Sequence, residues 1–462
     1  MKKNDIIELE INSITNLGFG VGRHDGLVVF VGGTVTGDVV LAKIIKLSSS
    51  YAVGRLEKFI KTSSVRDSSR CNAKACQSCA YKHISYDYEK ELKLTDVKTA
   101  FSKAGLDEVK IAELISSPKT TEYRNKAQYP ISRDKNGEYV IGFYAPKSHR
   151  VTEARACPLA PCEFFEILNL LADFFKRHDI SVYDEKNGKG LLRHVYLRRG
   201  EVSHEILLTL VINGKAIPQE KELAALIKEK FPAVVGILIN ENLADTNVIL
   251  GEKFRAVYGR DYIYDTLCGV NLKISAPAFY QVNHDAADLL YKKARELACP
   301  TKDDVLLDLY CGAGSIGLSM AESVGELIGI EIIDSAVLCA RENAKNNGIA
   351  NAKFYTGDAK DTEKLLDNAE ADLGKKIKPT IVVLDPPRAG CDEKLVKYVA
   401  KLSPKRVVYI SCNPTTLARD CAIFKALGYD CGEVTAVDLF PATGHVESVV
   451  RLERRLCIDM RR

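Results

Sequence analysis

The stretch DVLLDLYCGAGSIGLSMAESV, residues 304–324, decides the fold class of the C-terminal part of this chain. It begins as an apolar run broken by Asp308, passes through the glycine-rich GAGSIG, and ends in a helix-forming segment. A strand, a glycine turn and a helix in that order open a doubly wound α/β sheet, with a ligand expected at the helix N-terminus. The next apolar run, LIGIEII (327–333), carries Glu331 near its end, 23 residues after Asp308. A carboxylate there can accept bonds from ribose hydroxyls, which suits NAD and S-adenosylmethionine equally. Working outward, YTGDAK (355–360) places Asp358 after a third run, and TIVVLDPPRAG (380–390) places Asp385 and two prolines after a fourth.

A fifth run, KRVVYI (405–410), leads straight into SCNPTTLARD (411–420), so Cys412 falls in a polar turn at a strand's carboxyl end. Open α/β sheets bind ligands outside those ends. A structural cysteine is usually buried as a small hydrophobe, whereas a reactive one sits partly exposed where its thiolate is stabilised. Asp385 and Cys412 are therefore expected to face one crevice.

At 462 residues the chain is too long for one core, and about three domains are expected. Its 46% hydrophobic and 27% charged residues describe a globular protein. The N-terminal MKKNDIIELEINSI has no apolar signal core, and no run approaches the ~18 apolar residues of a membrane span. With 14 cysteines and no secretory signal, the expectation is a reducing cytoplasm, where clustered cysteines bind metal or do chemistry. A net charge of +4 is too small to argue nucleic-acid binding, so local features must carry that case.

Residues 1–59 contain closely spaced β-branched runs and turns, as in NLGFGVGRHDG (16–26) and YAVGRLEKFI (51–60). They predict a five-stranded barrel of the oligonucleotide-binding type. The segment resembles the TRAM domain, an RNA-binding barrel found on RNA-modifying enzymes. Next, CNAKACQSCAYKH (71–83) holds Cys71, Cys76 and Cys79 as C-x4-C-x2-C. Thiolates so close can converge on one soft metal centre, and Cys157 or Cys162 of ARACPLAPCEF (154–164) could complete it. Spacing alone leaves zinc and iron–sulfur both open. YEKELKLTDVKTAFSKAG (88–105) has helical periodicity and a glycine stop. Between Tyr123 and about Thr266 lies a mixed α+β region. In it Arg124, Lys126, Arg193, Arg198 and Arg199 interleave with Tyr123, Tyr129 and Tyr196, as on a surface for single-stranded RNA.

Asp-Pro-Pro after a fourth strand resembles the substrate-side motif of nucleic-acid base methyltransferases and so favours the methyl donor over NAD. FYQVN (279–283), DLYCGAGSIG (308–317), LDPPRAG (384–390), SCNPTTLARD and HVESVVRL (445–452) occur in the order and spacing of the RNA uracil-5-methyltransferases. With the barrel and the cysteine cluster the resemblance covers nearly the whole chain. Its layout is similar to the 23S rRNA (uracil-5-)-methyltransferases with a TRAM domain and a 4Fe–4S cluster. The tRNA branch is expected to match only the later two-thirds, without barrel or cluster. One departure is that CQSC follows Cys71 after four residues, where the family usually has C-G-G-C after five.

The resemblance implies an architecture of TRAM barrel (1–59), central RNA-binding domain with the cluster (60–275) and Rossmann-like methyltransferase domain (276–462). It implies Cys412 as nucleophile, Glu447 as base, and Gln281, Tyr310, Glu331 and Asp385 in the S-adenosylmethionine pocket. Asp358 is a further candidate there, and Asp385 could instead touch the uracil. It also implies Cys71, Cys76, Cys79 and Cys157 as ligands of a 4Fe–4S cluster, Cys157 being preferred to Cys162 because CP follows the basic segment. The expected partner is 23S ribosomal RNA, with no membrane, and the expected state is a monomer.

Other readings divide on particular residues. A base N-methyltransferase uses Asp-Pro-Pro but needs no Cys412 thiol. A radical methylthiotransferase combines a TRAM domain with three cysteines, but its TRAM domain is C-terminal and its spacing C-x3-C-x2-C. A non-catalytic RNA-binding scaffold has no use for Asp385, Cys412 and Glu447 together.

Overall fold

The computed structural model describes residues 1–71, 73, 76, 78–145, 148–153 and 157–455. The N-terminal sheet has six strands rather than five, in the order Ile6–Glu10, Val39–Leu47, Tyr51–Lys61, Leu27–Gly32, Phe19–His24, Ser13–Ile14. The additional strand is the two-residue Ser13–Ile14, too short to leave an alternation signal in the sequence. Leu9, Val29, Val31, Val40, Ala42 and Ile44 point inward at every second position and form the core. Gly22 marks where the sheet curls on itself: a Cβ there would lie 2.4 Å from the Glu10 carbonyl oxygen.

A second sheet of seven strands follows, in the order Lys253–Gly259, Val234–Glu241, Ile206–Ile212, Leu192–Arg199, Lys126–Arg133, Tyr139–Tyr144, Val151–Glu153. Ile206–Ile212 and Val234–Glu241 run parallel, as a crossover through helix Glu220–Lys230 requires; the other pairings are antiparallel. Every residue of ILLTLVI (206–212) is buried, because both faces of this strand are covered. Phe164, Ile167, Leu171, Phe174 and Phe175 of helix Cys162–Arg177 share the core with these strands.

The third sheet has five parallel strands in the order Ala352–Thr356, Glu326–Glu331, Val305–Leu309, Ile381–Leu384, Arg406–Ser411. Antiparallel Glu447–Arg454 extends it and pairs in turn with Tyr429–Cys431 and Thr435–Val437. Strand order reverses at Val305–Leu309, which makes the crevice beside it the switch point where such sheets bind ligands. Helix Tyr86–Lys103 belongs to this core, burying Val97, Ala100 and Phe101 in the cluster that holds Leu417, Ala418 and Phe424 of helix Pro414–Ala426. No helix among the described residues is long and apolar enough to cross a membrane.

Candidate active site

The crevice is built from strand ends. Val305–Leu309 delivers Tyr310 in a left-handed conformation (φ 65°), which turns the chain into the glycine loop. Gly317 lets the following helix approach the strand, since a Cβ there would lie 2.6 Å from Asp308 Oδ2. In its place the Gly317 N–H donates to that oxygen at 2.9 Å. Glu331 closes the turn from the second strand: its carboxylate accepts the N–H groups of Gly312 (3.0 Å) and Ile333 (2.9 Å). Gly312 faces open space, and Ile332 and Ile333 beside it are exposed, so a ligand could meet both bare backbone and an apolar lip. Gln281 is buried, and its carbonyl accepts the Asn125 side-chain amide at 2.8 Å. Asp358 begins the short helix Ala359–Asp361 and pairs with Lys360 at 2.7 Å.

Cys412 is held in a short turn. The Ser411 hydroxyl accepts the Asn413 N–H at 3.1 Å, and Asn413 caps helix Pro414–Ala426. The Asn413 amide also donates to the Arg388 carbonyl at 3.0 Å, tying this turn to the Asp-Pro-Pro loop. Sheet register supplies the remaining partner. Ser411 pairs with Ser448, so Cys412 and Glu447, though 35 residues apart, are neighbours across an antiparallel pair. Leu384 pairs with Tyr409 on the other side, which brings Asp385 to the same end. Next to Cys412 opens a cleft of ≈ 330 Å3 lined by Asn16 of the barrel, Lys103, Arg388, Thr415 and His445.

The crevice favours positive charge. Burial raises the Asp308 carboxyl to about 8 and Asp385 to about 7. Burial, then Asp385, raises Glu447 to about 8, with Arg388 opposing. Asp308 Oδ1 is buried with no hydrogen-bond partner among the described residues. Carboxyls raised by burial ionise more readily when a cation enters beside them, so the crevice complements a sulfonium. The Cys412 thiol is itself pushed up, by burial first and then by Glu447, with Arg388 again opposing.

The expected RNA surface of the second sheet is corrected here. Tyr123, Tyr129, Tyr196, Arg193 and Arg198 are buried. The arginines satisfy backbone carbonyls: Arg193 donates to Asn242 and Ala244 (2.8 and 2.9 Å), Arg198 to Ala278 (2.6 Å). The Tyr196 hydroxyl likewise donates to Ala276 at 2.7 Å. Tyr196 and Arg198 thus brace residues 276–278, which lead into Gln281, while Arg193 holds the loop at 242–244. Phe279, in contrast, is 67% exposed, and its exposure has no signature in FYQVN itself.

Cys79 and Cys157 pack against the same small cluster, Tyr123, Leu159 and Ala442. Burial raises the Cys79 thiol to about 12, and the fields of Cys157, Cys76 and Cys71 add to it. Cys162 stands apart, exposed at its helix N-terminus beside Glu163. Among the described residues no three His, Cys, Asp or Glu side chains meet as a metal-holding group. Residues 72, 74, 75, 77 and 154–156, between and beside these cysteines, lie outside the described residues. Arg124 Nε is buried without a partner among the described residues, and its guanidinium lies within electrostatic reach of Cys79 and Cys157. A buried guanidinium beside these two thiols, bonded through Tyr123 but with Nε free among the described residues, fits a thiolate-bound, anionic centre.

A Rossmann-like sheet with a carboxyl-lined crevice, joined to an oligonucleotide-type barrel, defines an S-adenosylmethionine-dependent RNA methyltransferase. Residues 85–455 match the tRNA (Uracil-5-)-methyltransferase family and residues 2–56 the TRAM domain. The chain belongs to this uracil-5-methyltransferase family. It is 38% identical to an uncharacterized RNA methyltransferase of Clostridium acetobutylicum over 98% of both chains. It is 37% identical to one of Staphylococcus aureus, over 97% of this chain and 98% of that one. The tRNA (uracil-54, C5)-methyltransferase of Pyrococcus abyssi, solved with S-adenosyl-L-homocysteine, superimposes with a TM-score of 0.78 at 27% identity. That match covers 96% of this chain and 99% of the archaeal one. A tRNA enzyme can thus share the whole layout, and the expectation that the tRNA branch matches only the later two-thirds does not hold.

Proposed function

We propose that this enzyme methylates carbon 5 of a uridine in 23S ribosomal RNA through a covalent Cys412–uracil adduct. The observation that carries the chemistry is the strand register setting Cys412 beside Glu447. Carbon 5 of uracil is too weak a nucleophile to take a methyl group unaided. The Cys412 thiolate adds to carbon 6, and the resulting enolate attacks from carbon 5. S-Adenosylmethionine supplies the electrophilic methyl and leaves as its thioether. Glu447 then takes the proton from carbon 5; that electron pair restores the ring double bond and expels the Cys412 thiolate. Gln281, Tyr310, Glu331, Asp358 and Asp385 line the donor's side of the crevice, with Phe279 offering its face to the incoming base.

Residues 1–59 act as the RNA-binding barrel, 60–275 as the central domain and 276–462 as the methyltransferase domain. Cys71, Cys76, Cys79 and Cys157 hold a 4Fe–4S cluster whose role, with all four irons ligated, is structural. The ribosomal substrate rests on the resemblance of the motif order and cysteine segment to the 23S enzymes, since the archaeal tRNA enzyme matches 96% of this chain, barrel included. A second reading, the same chemistry on tRNA, is favoured by the archaeal tRNA enzyme. Mapping 5-methyluridine in both RNAs from cells lacking the protein separates the two.

RNA bearing 5-fluorouridine at the target tests the mechanism, because fluorine cannot leave as a proton and the adduct stalls. A stable protein–RNA adduct is expected, and Cys412→Ala is expected to abolish both adduct and methylation. Methylation surviving in Cys412→Ala would refute the covalent route.

A further inference from the structure

Glu447 is the first residue of its strand and pairs with Val437, so residues 438–446 form a hairpin loop that closes directly over it. Residues 438–442 of the loop are each held from outside. Lys93, on helix Tyr86–Lys103, donates to Asp438 Oδ1 at 2.7 Å and to the Phe440 carbonyl at 3.1 Å. Glu89, one turn earlier, accepts from Lys93 at 2.6 Å and from the Ala442 N–H at 2.8 Å. Arg70, adjacent in sequence to Cys71, donates to the other Glu89 oxygen at 2.6 Å. The Asn283 amide reaches the Leu439 carbonyl at 3.1 Å, and the Tyr123 hydroxyl the Pro441 carbonyl at 2.9 Å. Ala442 is kept at φ 69°, a left-handed conformation an alanine adopts only under constraint.

Glu89, Lys93 and Asp438 are all fully buried. Burying ions is a poor route to stability, because desolvation consumes most of the Coulombic gain and apolar residues of like volume do as well. What three buried charges do supply is direction, since each bond fixes one atom of the loop. Those atoms, at 438, 440 and 442, lie on the path from the hairpin's first strand to Glu447.

We infer that Glu89 and Lys93 are positioning residues for Glu447, setting the loop from which it takes the carbon 5 proton. The inference rests on the covalent reading above. Removing the network displaces the base without touching Cys412, whose turn is held by Ser411 and Asn413. Addition and methyl transfer then proceed, while proton removal and thiolate expulsion stall.

The test is single-turnover methylation of ordinary uridine RNA by Lys93→Met and by Glu89→Gln, following the adduct and free methylated RNA separately. Adduct should accumulate, with release slowed by roughly 10- to 100-fold, as a shift of about 1 Å in a reacting group can cause. S-Adenosylmethionine affinity and the rate of adduct formation should stay near those of the unaltered enzyme. A merely structural role would lower active enzyme concentration, scaling formation and release amplitudes together and leaving both rates unchanged. Should either single variant not fold, Glu89→Gln/Lys93→Met removes one charge of each sign and is measured in its place. Release at the normal rate from a folded variant overturns the inference. Methylation by Cys412→Ala would instead overturn the covalent reading, so the two failures are distinct.

Discussion

Gly444 and Asn16 meet so closely that a Cβ on Gly444 would lie 2.1 Å from the Asn16 backbone carbonyl oxygen. One residue belongs to the barrel, the other to the loop that leads into Glu447. The same two residues line the cleft beside Cys412. RNA held on the barrel is thereby held at a fixed offset from the thiol.

Gly444→Ala should force the barrel away from that loop. Overpacking against backbone costs about 1–3 kcal/mol, which a denaturant titration will register. S-Adenosylmethionine affinity should be retained and kcat/KM for RNA should fall, because Asn16 and Gly444 line the cleft beside Cys412 and not the glycine loop after Tyr310. Unchanged RNA kinetics would mean that barrel and crevice are not coupled at this contact.

The crevice carboxyls give a pH dependence of definite sign. Asp308, Asp385 and Glu447 titrate at about 8, 7 and 8 in the fold, well above ordinary carboxyls. The stability they contribute is fully present below the unfolded values of about 4 and is lost as pH rises through about 7–8. Thermal midpoints should therefore fall from about pH 4 to about pH 8 and level off above it, and Asp385→Asn should flatten the fall. A sulfonium favours the ionised carboxyls, so the stabilisation it gives should grow over the same range. S-Adenosylhomocysteine, neutral at sulfur, should show a shallower trend in the same thermal series.

How much of this was legible in the sequence depended on range. Asp308, Glu331, Asp385 and Cys412 each follow an apolar run, and strand-end placement needs only local periodicity and the parallel rule. Glu447 was reached through resemblance, because its approach to Cys412 depends on an antiparallel register that no local pattern encodes. The interleaved arginines and tyrosines misled for the same reason. Alternation identifies a strand but not which of its cations will find carbonyls, and Arg198 finds one 80 residues away. Lys93 and Glu89, four residues apart on one helix, carry no local mark of burial, because what buries them includes Asp438, 345 residues beyond Lys93.

Cys412 should react slowly with iodoacetamide in the free protein, because burial and the Glu447 carboxylate both hold its thiol above the ordinary value. Glu447→Gln removes the second cause. At about pH 8.5 the variant's Cys412 should be alkylated roughly several-fold faster, as measured by peptide mass spectrometry. Slower alkylation would show that Glu447 draws the proton from the thiol rather than opposing its ionisation.

The cysteine centre makes the last prediction. Cys79 and Cys157 share one apolar cluster while Cys162 stands exposed beside Glu163, so the fourth ligand should be Cys157. Protein purified without oxygen should be brown, with iron and sulfide in equal amounts, and Cys157→Ser should lose the colour while Cys162→Ser keeps it. Joining the loop near Cys76 to Cys157 closes about 80 residues, which by analogy with a disulfide removes unfolded-state entropy on the order of 4 kcal/mol. Iron removal should therefore lower the thermal midpoint markedly. It should also weaken RNA binding more than S-adenosylmethionine binding, because Ala442, in the loop before Glu447, packs in the cluster those two cysteines flank. Zinc in place of iron would refute the cluster and keep the ligands, whereas colour lost in Cys162→Ser and kept in Cys157→Ser would reverse the choice of fourth thiol.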